Sequence, residues 1–244
     1  MTQNQNYNLS NALLVPLILS LAMWIVYKLD GAYDLDLFVY GLYPRSPLGL
    51  RGVLTSPLLH DTRSYLHVFE NTVALLFFGT LLYYFYRQIA TKVLVVSWLM
   101  TGLLVWSIAK PVFHIGMSGV IYALAFFLIT SSIIRKNRQL TGLNFLIIFL
   151  YGSIFWGLFP LMPRVSWESH LFGAISGVAL GLYYRKFVPH HIEVKPPIQD
   201  DPNDDAEDAW WKTGVINENK PQQETTIHYE YKPTNKPPDP DEKQ

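Results

Sequence analysis

The sequence predicts an all-α membrane protein: a bundle of six transmembrane helices followed by a disordered C-terminal tail. Two observations carry that prediction. Half of the 244 residues are apolar and 15% are aromatic, and six stretches are apolar over a helical span. Crossing a hydrocarbon layer of roughly 30 Å takes about 20 such residues. Charge is 16% of the chain and unevenly placed, with 13 Asp/Glu against 6 Lys/Arg from Phe187 onward and the reverse balance before it.

The six stretches are residues 11–28, 65–86, 92–109, 116–134, 141–160 and 168–186. The first follows a short N-terminus, residues 1–10, that holds no Lys or Arg and leads to no small-residue cleavage site. It reads as a retained helix rather than a signal peptide. The second holds Glu70 and Asn71 near its start, and the sixth begins beside Glu168. Trp24, Tyr27, Tyr84, Tyr86, Trp106, Trp167, Tyr183 and Tyr184 gather near the ends, as interfacial anchors do.

The connection over residues 29–64 mixes apolar residues with helix-breaking Gly and Pro, and is expected to lie along the outer interface against the bundle. The segment 188–244 carries 9 of the 16 prolines and an acidic cluster from Asp200 to Asp208. It cannot bury enough apolar surface to offset its ordering entropy, so disorder is expected there and residues 11–187 form the folded body. Alternating the spans places Arg87, Lys92, Arg135, Lys136, Arg138, Arg185 and Lys186 in short loops on one side. The positive-inside rule then puts both termini in the cytoplasm, and the compact layout points to a bacterial inner membrane.

Composition excludes several chemistries. The chain has no cysteine, so disulfides, thiolate nucleophiles, Cys-ligated zinc and iron–sulfur clusters are ruled out. There is no basic stripe for nucleic acid. A His-Glu-x-x-His metalloprotease helix is missing, since His67-Val68-Phe69-Glu70-Asn71 has no second histidine. Every aspartate is expected in a loop or the tail, which leaves no aspartyl membrane protease. No repeated halves suggest a transporter. No metal or organic cofactor is expected.

Two short motifs remain, Gly116-Met117-Ser118-Gly119 and Ser169-His170-Leu171-Phe172-Gly173. With the orientation above, the second, fourth and sixth spans begin on the outer side. His67, Asn71, Ser118 and His170 then share one depth, within reach of outside water. Polar groups within spans usually face the interior and mark function. His170, Gly173, Gly177 and Gly181 recur on one helical face, and small residues there let another helix approach. Gly119 and Ala123 offer the matching surface on the fourth span, and Tyr122 lies on the face of Ser118. The simplest pairing brings Ser118 Oγ near a His170 nitrogen.

A serine hydroxyl becomes a useful nucleophile when a base takes its proton, and histidine has the matching basicity. The oxyanion of acyl transfer needs donors, about 3–4 kcal/mol for one good one. The Ser118 backbone N–H at a helix start is one candidate. The side chains of His67 and Asn71, one turn apart on one face, are others.

On these residues the chain resembles the rhomboid intramembrane serine proteases. The family's Gly-x-Ser-Gly looks like Gly116 to Gly119, its histidine with following glycines like His170, Gly173 and Gly177, and its His-x-x-x-Asn like His67 and Asn71. The resemblance covers about residues 10–186 and implies a rhomboid-like bundle with a Ser118–His170 dyad. It implies that Tyr122 packs under the imidazole and that His67 and Asn71 complete the oxyanion hole. Its substrates would be transmembrane proteins in the lipid bilayer; the oligomeric state is left open. Where the family often has Trp-Arg in the first outer loop, this chain has Leu50-Arg51. His60 and His114 read as structural, and Glu168 as too close to His170 in sequence to orient it. The rival reading is a non-proteolytic rhomboid-like protein that binds transmembrane segments; such relatives typically lack the serine or the histidine.

Overall fold

Long, nearly continuous apolar runs satisfy their backbone groups as helices, and the computed structural model describes residues 9–135, 138–161 and 166–189. In chain order they are α1 (Leu9–Tyr33), the single turn α2 (Gly52–Thr55), α3 (Tyr65–Ile108), α4 (Ser118–Arg135), α5 (Arg138–Tyr151) and α6 (Trp167–Tyr183). Short 3-10 turns occupy Leu37–Tyr40, Leu48–Arg51, Ser56–Leu58 and Gly152–Leu158. No strand occurs among the described residues, where Leu42 and His114 form an isolated bridge. The chain divides into Met1–Glu193 and Val194–Gln244, and the second unit lies outside the described residues. So do residues 1–8 of the expected N-terminal segment and nearly all of the tail expected to be disordered.

Three helices, α1, α3 and α4, are long and apolar enough to cross a membrane. The stretches expected as separate spans, 65–86 and 92–109, form one 44-residue run with a single non-helical residue, Tyr86 (φ −121°, ψ 28°). Straight, such a helix would measure about 66 Å. Instead it doubles back, because His67 near its start borders Gly116 while Thr101 near its end borders Gly119. The sequence Arg87-Gln88-Ile89-Ala90-Thr91 contains no helix breaker, so the expected loop shrinks to one residue.

The bend is held from below α4. Tyr86 Oη donates to Ser131 Oγ at 2.7 Å, and the Arg135 guanidinium lies 5.7 Å from the Tyr86 ring centre. The same guanidinium donates to the carbonyls of Ser131 at 3.0 Å and Tyr184 at 2.9 Å, and to that of Phe187. One arginine thereby ties the ends of α4 and α6 to the bend of α3.

Other boundaries differ by a few residues. α1 extends through Tyr33, so Asp30 falls in its last turn rather than in a loop; buried there, it accepts the Leu37 N–H at 3.0 Å. The fifth stretch, expected as one helix to residue 160, ends as α-helix at Tyr151 and tightens to 3-10 geometry from Gly152. Glycine costs about 1 kcal/mol in a helix interior. The sixth runs from Trp167 to Tyr183.

α4 and α6 make the most extensive helix–helix contact. A Cβ on Gly173 would land on the Gly119 carbonyl, and one on Gly177 would land on that of Ala123. The two backbones therefore touch, which only small residues allow. α1 packs on the first limb of α3 through Pro16 against Gly79, and Trp24 Nε1 donates to Thr72 Oγ1 at 2.9 Å. The greasy connection packs on the second limb, whose Trp98 and Trp106 indoles donate to the carbonyls of Val53 and Ser46, each at 2.9 Å.

Gly177→Leu should separate α4 from α6 and destabilise the fold by about 1–3 kcal/mol. Thermal unfolding in detergent checks this; an unchanged Tm would contradict the backbone contact.

Candidate active site

The turn before α4 depends on Gly116, whose φ of +108° suits glycine and few other residues. Its N–H donates to the Ser56 carbonyl at 2.8 Å, pinning the turn to the connection between α1 and α3. Two residues later Ser118 opens α4, where the first N–H groups have no helical acceptor.

Ser118 Oγ lies 2.9 Å from His170 Nε2, and His170 Nδ1 lies 2.9 Å from the Gly157 carbonyl oxygen. A carbonyl can only accept, so Nδ1 carries the proton and Nε2 presents its lone pair to the serine hydroxyl. The imidazole is 8% exposed and stacks on the Tyr122 ring, with centres 4.1 Å apart and planes 5° off parallel. Three contacts thus hold the ring: a carbonyl on one nitrogen, a hydroxyl on the other, an aromatic face beneath.

Sequence reasoning did not single out Gly157. Its carbonyl is available because the α-helix has already ended, and a side chain there would collide with the Tyr122 hydroxyl. A glycine inside an apparent span was the sole hint.

His67 and Asn71 border the Gly116 turn. A Cβ built on Gly116 would stand 3.0 Å from His67 Nε2 and 4.0 Å from Asn71 Nδ2, so any larger residue would crowd them. Asn71 donates one amide hydrogen to the His67 carbonyl at 2.8 Å, and the amide carries a second.

The remaining polar groups sort by their contacts. Glu70 is exposed, and no hydrogen bond joins Glu168 to His170 among the described residues. Arg51 donates to the Val39 carbonyl and stacks on Tyr40, serving the connection between α1 and α3. His60 is buried edge-on against His67, with ring centres 5.0 Å apart, and its Nε2 finds no partner among the described residues. Burial, reinforced by His67 and opposed by the Leu58 carbonyl, pushes His60 down from 6.5 to about 3. His114 bonds the Lys110 carbonyl and Ser166 Oγ, and burial holds it below the ordinary imidazole range against the pull of that carbonyl and of Glu168. Among the described residues no three His, Asp or Glu stand close enough to hold a metal ion.

Comparison with known proteins shows the family. The family model described as Rhomboid domain matches residues 48–187, more than half of the chain. The chain belongs to the rhomboid family. Rhomboid proteins are generally intramembrane serine proteases, with some inactive members. This rhomboid protein is 32% identical over 166 residues to an uncharacterized protein of Mycobacterium tuberculosis (strain ATCC 25618 / H37Rv), covering 64% of this chain and 68% of the relative. An uncharacterized protein of Mycobacterium bovis matches equally, and one of Mycobacterium leprae is 34% identical over 139 residues, 53% of this chain and 54% of its own. The names of these relatives state no activity. Within the rhomboid domain lie the turn at Gly116, the Ser118–His170 contact and the His67–Asn71 pair.

Because the folded protein holds His60 neutral down to about pH 3 while the unfolded chain protonates near 6.5, the unfolded state binds more protons in that window. Stability should therefore fall as pH drops below 6.5, by up to about 1.4 kcal/mol per pH unit from this group. Denaturation in detergent at stepped pH checks it; a His60→Leu variant should show a flatter acid limb.

Proposed function

We propose that this protein is an intramembrane serine endopeptidase that hydrolyses peptide bonds in or beside transmembrane segments of other membrane proteins. The observation that carries the reading is the 2.9 Å contact between Ser118 Oγ and a His170 whose tautomer is fixed by the Gly157 carbonyl. A general base needs a bare imidazole nitrogen on the hydroxyl it activates, and His170 supplies one at a serine beside the Gly116 turn and the His67–Asn71 pair.

In the proposed reaction Ser118 Oγ attacks the scissile carbonyl as Nε2 of His170 takes its proton. The imidazolium that forms keeps its Nδ1–H on the Gly157 carbonyl and its face on Tyr122. It then gives the proton to the departing amine, which leaves an acyl-serine. Water, deprotonated by the same Nε2, hydrolyses that ester and restores the serine. The Ser118 N–H and the side chains of His67 and Asn71 are the proposed oxyanion donors, arriving from α4 and α3 at the same level. No cofactor enters the cycle.

We further propose six membrane crossings: α1, the two limbs of α3, α4, α5 with its 3-10 extension, and α6. Each limb of α3 is about 20 residues, enough for the hydrocarbon thickness. The basic cluster at the Arg135 end then faces the cytoplasm of a bacterial inner membrane, together with both termini, and the Ser118 end faces outward. A half-buried serine at a helix start can attack only an extended peptide, so the substrates are transmembrane segments with helix-breaking residues and a small residue before the cut.

Ser118→Ala, reconstituted in lipid vesicles with a transmembrane substrate, should lose at least about 10³-fold in cleavage rate while keeping the wild-type Tm. Full activity in that variant would end the protease reading in favour of a binding protein.

A further inference from the structure

A second serine–histidine hydrogen bond lies one helical turn upstream of the first. His114 stands four residues before Ser118, and Ser166 four before His170, so both bonds span 52 residues. The residue types are exchanged: here the histidine belongs to the approach to α4, and the serine caps α6.

The proton order is fixed along the whole chain of bonds. His114 Nε2 faces the Lys110 carbonyl at 3.1 Å, so Nε2 carries the proton and Nδ1 is bare. Nδ1 then accepts the Ser166 hydroxyl at 2.5 Å. A hydroxyl has one proton, so Ser166 Oγ can only accept from Ser169, whose hydroxyl lies 2.7 Å away and whose backbone N–H lies 3.4 Å away. Donation runs one way, from Ser169 through Ser166 and His114 to Lys110. His114 is anchored independently, since its backbone exchanges two hydrogen bonds with Leu42, at 3.0 and 2.8 Å.

The glycine contacts between α4 and α6 begin at Gly119 and Gly173 and continue away from this end toward Gly181. They set how close the helices lie. Above the Ser118–His170 pair, His114 to Ser166 is the side-chain hydrogen bond among the described residues that ties the two helix starts, flanked by Lys110 Nζ 6.0 Å over the Trp167 ring.

We propose that His114, acting through Ser166, is a positioning residue that holds the first turn of α6 in register with α4 and so keeps His170 Nε2 on Ser118 Oγ. Its effect on rate rests on the protease reading above; the register itself does not. A misplacement of about 1 Å at reacting atoms can cost up to about 100-fold in rate. Ser166 is not a second nucleophile, because its oxygen already serves as the α6 cap.

The test compares the full chain in vesicles as wild type, His114→Phe, His114→Gln, Ser166→Ala and the His114→Phe/Ser166→Ala double variant. It reads kcat, KM, Tm and deuterium exchange at amides 167–172. Glutamine keeps one acceptor and one donor; phenylalanine keeps neither. His114→Phe and Ser166→Ala should each lower kcat about tenfold with KM within about twofold. The double variant should be no slower than the slower single one, His114→Gln should recover most of the rate, and exchange should rise in His114→Phe. Multiplying losses in the double variant, or glutamine as slow as phenylalanine at equal Tm, would overturn the proposal. Should His114→Phe fail to fold, an unchanged kcat in Ser166→Ala overturns it just as directly. If the wild type cleaves nothing, the protease reading fails, and exchange decides the register alone: no rise in His114→Phe sinks it.

Discussion

The contact on which the rest depends is the backbone-to-backbone approach of α4 and α6. Gly173 sits against the Gly119 carbonyl and Gly177 against that of Ala123, with no side chain between them. Lipid supplies no hydrophobic drive for helix association, so van der Waals contact at this range has to hold the pair. The approach also sets the geometry of the candidate site. A hydroxyl at the head of one helix and an imidazole in the first turn of the other come within 2.9 Å because the rods touch just below them.

Around that contact the fold closes two levels. At the far end, Arg135 gathers the ends of α4 and α6 and the bend at Tyr86. At the near end, the turn at Gly116, the connection between α1 and α3, and the first turns of α3 and α6 converge. α4 is 18 residues long, so about 27 Å separates the two levels. Tyr86 is what returns α3 to the near level, and without that return His67 and Thr101 could not both border the segment 116–119.

Much of this was legible because it is local. Gly116 to Gly119, the His170 glycines and the His67–Asn71 spacing each lie within two helical turns, and helical period alone shows which residues share a face. What escaped the sequence depends on the third dimension. The acceptor on His170 Nδ1 is a backbone carbonyl, which any residue could have supplied, and Gly157 is marked only by the absence of a side chain. His114 and Ser166 look unremarkable apart, a lone loop histidine and a helix cap, and their bond appears only once the helices are placed. Arg87 and Lys92 marked a loop between two spans, yet with neither Gly nor Pro there the turn shrinks to Tyr86.

The residues proposed for the chemistry and those that hold the fold are largely separate. Arg135, Tyr86, Trp98 and Trp106 hold the scaffold without touching the pair. His170 is held by groups from α4, α6 and the turn after α5, so its orientation reports on how all three pack. The most direct test of the central claim is labelling of the intact protein with a fluorophosphonate probe, mapped by mass spectrometry in wild type and in His170→Ala. The account predicts phosphonylation at Ser118 that disappears when His170 is removed. Labelling at another serine, or equal labelling of Ser118 in both proteins, would contradict it.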